Sequence, residues 1–305
     1  MAASTTIDSY NVVGDMEDIE DVVYNIAPTR TPMLSMLQRT SCHNTLVEWQ
    51  EDSLADADAD NAADEGADAK DADESPTDMK NNRTQIFTKT VKVSGTIRAV
   101  DEYGRNDEFV YQSEKKIKEL KRDIEKAVIG RRQAPVAGAG TASSGGKTRK
   151  LGSFFNYVHA DNTVTAAAAG TFVEAELMST LEKTYDSGGE PNKLLINTTH
   201  AKTIAAMATA SGRQRDFGTG TALVTYIDLL VTPYGELDVV IDRFQMVEEI
   251  AAIDPEMAKI RVLRATNVEP LAKTGDSDKA QLLTELTLQV NNGKAHGTYK
   301  VGKKP

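Results

Sequence analysis

Tyr24-Asn25-Ile26-Ala27-Pro28-Thr29-Arg30-Thr31-Pro32-Met33-Leu34-Ser35-Met36-Leu37 is followed, six residues on, by Asn44-Thr45-Leu46-Val47-Glu48-Trp49-Gln50-Glu51-Asp52-Ser53-Leu54-Ala55. Pro28 and Pro32 discourage a continuous helix in the first segment. It ends in a small apolar anchor, Met33 to Leu37, and follows a short acidic amphipathic stretch at 16–26. Residues 1–41 therefore read as an arm. The second segment holds a strand at 44–50, where Leu46, Val47 and Trp49 supply the apolar and aromatic content that strands favour.

Directly after that strand the composition changes. Residues 51–79 carry twelve acids against one base, Lys70, so this stretch alone accounts for the net charge of −11. Its alanine–aspartate repeats repel one another and offer little to bury, which predicts an extended solvated loop. Asp56, Asp58 and Asp60 invite a calcium reading, but Asn61 and Ala67 stand where an EF-hand loop needs glycine and a bidentate acid. Beyond the loop, residues 83–98 alternate. Phe87, Val91, Val93 and Ile97 share one face, with Thr88, Thr90, Lys92 and Ser94 on the other. That period of two predicts a strand with one apolar face. The two strands are expected to pair as a long hairpin with an acidic tip. Such a hairpin is marginal alone and needs cover from the rest of the protein or from another copy.

Residues 106–129 form the clearest helix. Val110, Ile117, Leu120, Ile124, Ala127 and Val128 fall at helical spacing. Asn106 is the expected N-cap, Gly130 the terminator, and Arg131 and Arg132 lie just beyond. At ~1.5 Å per residue the helix spans ~36 Å. The Gly-, Ala- and Ser-rich run at 133–148 reads as a loop. The second half alternates, with helices at 171–185 and 199–210. Strands are expected at 193–197, 223–232, 236–242, 250–253 and 259–264, with a turn at Asp254-Pro255-Glu256. The tail, 279–301, reads as a hairpin turned at Asn291-Asn292-Gly293. The class is α+β with mostly antiparallel strands.

The 305 residues, 40% apolar and 27% charged, suit a folded protein of two domains or one elaborated one. No apolar run approaches the ~20 residues of a membrane span. Cys42 is alone, so no internal disulfide or cysteine-based zinc site is expected. The four histidines, His43, His159, His200 and His296, make no local metal pair. Gly146-Lys147-Thr148 suggests a phosphate loop, but Thr141 stands where the first glycine is required. His43 beside Cys42 would point to the opposite face of a strand and cannot activate the thiol. His200 at a helix start has no nameable partner, and Asp254 and Glu256 are ordinary turn residues. No constellation supports an enzyme, a cofactor or a metal.

The two quoted segments resemble the N-terminal region of tailed-bacteriophage major capsid proteins. The order of parts is similar to the Hong Kong 97-like capsid fold. The resemblance implies an N-terminal arm (1–41), an extended β-hairpin loop (42–98) with its acidic tip at 51–79, and a long spine helix (106–132). That helix would lie in a peripheral domain of 99–149 and 246–305, beside an α+β axial lobe at 150–245. It further implies self-assembly into hexamers and pentamers of an icosahedral head enclosing double-stranded DNA, built in the host cytoplasm. No scaffolding segment precedes the arm, so a separate scaffolding protein is expected, together with a portal. DNA is met by non-specific proximity, and no membrane is involved.

Candidate inter-subunit contacts are Pro28, Pro32, Met33, Leu34, Leu46, Trp49, Phe87, Val91, Lys118 and Arg122. Lys118, Lys121, Arg122 and Lys126 either form a solvated helix face or meet acidic neighbours or DNA. Competing readings are an encapsulin-like nanocompartment shell of the same fold, a small-oligomer enzyme or binding protein, and a fibre or decoration protein.

Overall fold

The computed structural model describes residues 28–55, 57–62, 65, 66, 68, 76–100, 107–138, 148–210 and 229–303. The segment 16–26, the Asn106 cap, Gly146-Lys147 and the start of the strand expected at 223 lie outside them. In chain order the elements begin with α1 (Pro32–Met36), β1 (Gln38–Ser41), β2 (Leu46–Glu51), β3 (Asp78–Arg83) and β4 (Gln85–Ser94). Then come α2 (Gly95–Ala99), α3 (Glu108–Ile129), α4 (Phe154–Tyr157), β5 (Thr163–Thr165), α5 (Glu174–Asp186), β6 (Lys193–Ile196) and α6 (Thr198–Ala210). The last are β7 (Leu229–Thr232), β8 (Gly235–Ile241), β9 (Glu249–Ile253), β10 (Ala258–Leu271), β11 (Ser277–Val290) and β12 (Gly297–Lys300).

Among the described residues the strands form three sheets. Four strands run in the order β1-β10-β11-β4, six in the order β5-β12-β9-β6-β8-β7, and β2 pairs with β3 alone. α3 lies against β4 and carries the stripe expected of it, with Leu120, Ile124, Ala127 and Val128 buried. Asp107 is its N-cap and accepts from the Phe109 N–H at 2.8 Å. Gly130 ends it, where a Cβ would stand 2.5 Å from the Phe244 carbonyl oxygen. Val110 departs from the expectation and is 52% exposed. In the first turn Arg98 of α2 covers the neighbouring Phe109 ring instead.

The predicted long hairpin is a correction. The strand expected at 83–98 does not return along 44–50. β2 pairs instead with β3, from Leu46 opposite Arg83 to Glu51 opposite Asp78. β4 pairs with β11 along its whole length. The reason is the face that periodicity had identified. Phe87, Val91 and Val93 are buried in the main core under α3, whereas a hairpin in solvent has no use for them. Ile97 is half-exposed in α2, because the Ser94 hydroxyl accepts from its N–H and starts a helix there.

The expected tail hairpin at Asn291-Asn292-Gly293 is a second correction. β11 belongs to the four-stranded sheet, whereas β12 pairs with β9 and β5 in the six-stranded one. The Asn292 carboxamide accepts from the Lys294 N–H at 2.9 Å and starts a short 3-10 turn. Gly293 is there for close approach, since a Cβ would stand 2.3 Å from the Tyr157 carbonyl oxygen. The Asp254 turn forms as expected, with its carboxylate accepting from Glu256 N–H at 2.9 Å. The strands on either side of it also enter different sheets.

Two cores meet at β6 and β9. Leu195, Ala251 and Ile253 face the cluster of α3, α4 and the four-stranded sheet. Leu194, Ile196, Ile250 and Ala252 face the cluster that includes Leu177 and Leu181 of α5 and Ile204 of α6. Strands buried on both faces read as continuous apolar runs, which is how both appear in the sequence. His296 is fully buried, accepts from the Asp254 N–H at 3.2 Å and sits edge-on to Phe154. Burial pushes its imidazole down to about 4.

Leu120→Ala should cost roughly 2–5 kcal/mol of unfolding free energy, read as a lowered urea midpoint. The unfolded chain takes up a proton on His296 near pH 6.5, whereas the folded chain resists it until about 4. Stability should therefore fall as pH drops through that window, on the order of 3 kcal/mol for this group. His296→Gln should flatten that part of the pH profile.

Candidate functional site

Two places tie the extended parts of the chain to its body. The first is the arm anchor. Pro32 occupies the first turn of α1, where its missing N–H costs nothing. Thr31 makes no side-chain cap to this helix. The cap comes from α3 instead. The Met33 and Leu34 N–H groups donate to Glu125 Oε1 and Oε2 at 2.7 and 2.9 Å. Met33, Leu34 and Leu37 pack into the main core beside it. Glu125 and Asp242 are both fully buried and face one another. Burial, then mutual repulsion, pushes Glu125 up to about 8, and burial raises Asp242 as well.

The second place is the hairpin root. Cys42, Val47 and Trp49 form a small buried cluster with Tyr157 and Leu263. The Trp49 and Tyr157 rings lie 5.6 Å apart, and the Tyr157 hydroxyl donates to the Asn81 carbonyl at 2.8 Å. Burial raises the pKa of both the Tyr157 phenol and the Cys42 thiol, so Cys42 is a structural residue here. Asn82 is fully buried. Its amide donates to the Leu288 and Gly152 carbonyls at 2.6 and 3.1 Å, and its oxygen accepts from Gly152 N–H at 2.7 Å.

Thr84 completes the root by donating to Glu285 Oε1 at 2.7 Å. Arg149 and Arg264 close on the same carboxylate at 2.5 and 2.8 Å. Burial alone would raise Glu285, but the Thr84 hydroxyl and the two guanidinium groups outweigh it and hold the carboxyl below its usual range.

Beyond the root the hairpin is open. The described residues of 52–68 are exposed, and Leu54 is 98% so. On the opposite kind of surface, Lys115, Lys118, Lys121 and Lys126 of α3 are exposed, and the Arg122 guanidinium lies over the Phe244 ring. Of the residues expected at subunit contacts, Pro32, Met33, Leu34, Trp49, Phe87 and Val91 are buried within the chain itself. Their apolar surface is covered by α3, Tyr157 and the four-stranded sheet. Pro28, Leu46 and Arg122 are half-buried, and Lys118 is exposed. His200 lies 2.7 Å from the Val247 carbonyl through Nε2, an architectural contact.

Glu125, Asn82, Thr84 and Asp242 were not singled out by sequence. Only Glu125 carried a signal, being a carboxylate between Ile124 and Ala127 on the buried side of a helix.

The SU10 major capsid protein family model matches residues 2–302. The chain belongs to that family. The major capsid protein of Escherichia phage Phieco32 is 29% identical over 341 residues, covering 97% of each chain. Among solved structures, a capsid chain of a native GTA particle superposes with a TM-score of 0.65 at 14% identity, covering 96% of each. A chain of the holo-SrpI encapsulin complex from Synechococcus elongatus PCC 7942 gives 0.59 at 11% identity, covering 92% of this chain and 93% of that one. These likenesses establish the Hong Kong 97-like α+β capsid fold. The family makes this chain a structural component of a phage virion rather than an enzyme.

The root of this capsid protein's hairpin can be tested directly. Asn82→Ala would leave the Gly152 N–H and the Leu288 carbonyl buried without partners. Each such group costs ~1–3 kcal/mol, so the unfolding midpoint should drop clearly. Surface Asn61→Ala should leave it unchanged.

Proposed function

We propose that copies of this capsid protein assemble into hexamers and pentamers of an icosahedral head that encloses double-stranded DNA. The observation that carries this is the β2–β3 hairpin. It is a sheet of two strands, rooted firmly in the body but open beyond it. Two strands alone are marginal in water, so the open part calls for a covering surface on a second copy. Closed shells are built from such repeated heterologous contacts.

In this reading 1–41 is the arm, the β2–β3 part of 42–98 is the extended loop, and 106–132 is the spine. Residues 99–149 and 246–305 form the peripheral domain, and 150–245 the axial one. The acidic tip tunes assembly through basic surfaces of neighbouring copies, for which the α3 lysines and Arg122 are suited. Outside residues 51–79 the chain is neutral, which suits a wall around DNA, since a strongly basic inner surface would bind phosphate tightly. The remaining partners are a separate scaffolding protein and a portal, and assembly takes place in the host cytoplasm.

Negative-stain electron microscopy with light scattering on the purified protein tests the proposal. Closed particles, or rings of five and six, are expected. A species that stays small under crowding and high salt, with scaffolding protein supplied, overturns it. Deleting residues 55–73 should shift the salt dependence of assembly, because it removes most of the charge of the tip; an unchanged salt and calcium titration rejects a role for the tip.

A further inference from the structure

The Glu125–Asp242 pair joins three parts of the chain that are distant in sequence. Glu125 comes from the buried face of α3, Asp242 follows β8, and the Met33 and Leu34 amides open α1. Both oxygens of Glu125 already accept an amide N–H. Asp242 Oδ1 accepts from Phe244 N–H at 2.8 Å, whereas Oδ2 is buried without a hydrogen-bond partner. An orphaned carboxylate oxygen facing a second carboxylate is untenable unless a proton lies between them. The two carboxyls therefore share one proton between Glu125 and Asp242 Oδ2.

We propose that this shared proton is a latch on the N-terminal arm: with it, α1 is clamped to α3, and without it the two carboxylates part and α1 is released. Among the described residues the surroundings offer no substitute charge. α1 itself contains no titratable side chain. On α3, Arg122 is turned over the Phe244 ring and Lys126 is exposed. After β8, Arg243 is exposed, and beyond the end of α3 Arg131 reaches toward Gln85. The charge that bears on Glu125 is that of Asp242.

The sign follows. Burial and repulsion hold the pair's proton up to about 8, far above an ordinary carboxyl. The clamp is therefore closed below that pH and loosens as pH rises through it, by about tenfold in the opening equilibrium per unit above. The pair titrates as one unit. The attachment of α1 would thus loosen on the mildly alkaline side of neutrality.

Hydrogen exchange of the 33–36 amides at pH 7 and pH 9, each normalised to the unfolded chain at that pH, tests the latch. The wild-type protein should lose protection there by about tenfold or more, while β9 stays protected. Asp242→Asn replaces one acid of the pair by an amide whose NH2 can donate to Glu125 while its oxygen still accepts from Phe244. Its protection at 33–36 should change less than twofold between the two pH values. If that variant does not fold, Glu125→Gln serves in its place, weaker at both pH values but equally flat between them. A wild-type protein with no pH step, or a variant with the same step, overturns the proposal.

Discussion

One residue separates two strands that belong to different sheets. Arg83 ends its pairing with Leu46 in the hairpin, and Gln85 begins pairing with Leu286 in the core. Between them the backbone of Thr84 must find partners outside both ladders, because a buried peptide group left unpaired is costly. Its N–H donates to the Thr45 carbonyl and its oxygen accepts from Arg149. Asn82 on one side and Gln85 on the other then bond the loop around 151–152. The projecting hairpin, the end of α3 and the four-stranded sheet are fixed relative to one another through this junction. A solvated hairpin can leave a packed body in a defined direction only if such a junction exists.

The arm is held by a different device. α1 is too short to be stable alone and carries no cap of its own. Its free amides are satisfied by a carboxylate from another helix, which ties the start of the arm to the centre of the core. Burying two acids there costs stability, and apolar packing of Met33, Leu34 and Leu37 around them offsets it. A purely apolar contact could not replace the pair, because it would leave the Met33 and Leu34 amides buried without acceptors.

Much of the fold was legible. α3 announced itself by spacing and by its capping glycine, β4 by strict alternation, and β6 and β9 by unbroken apolar runs. β3 did not, because Asp78-Met79-Lys80-Asn81-Asn82-Arg83 has no apolar face and is held by backbone pairing and one buried amide. The Asn292-Gly293 pair misled because a hairpin turn and a close chain crossing ask for the same glycine. The polar pins were the least legible. Glu125 meets amides 91 and 92 residues away, and Asn82 meets a carbonyl 206 residues away. Nor does apolarity say what covers a residue. Met33, Trp49 and Phe87 were expected at subunit contacts, and within the chain their apolar surface is covered by α3, Tyr157 and the four-stranded sheet.

Trp49 is the sole tryptophan of the protein, and it lies where the hairpin leaves the body. An indole packed against Tyr157 emits differently from one in water. Every subunit of an assembled shell would therefore carry one intrinsic optical reporter at its hairpin base. Whatever loosens or tightens that joint would register as a change in ultraviolet emission, without any label on the molecule.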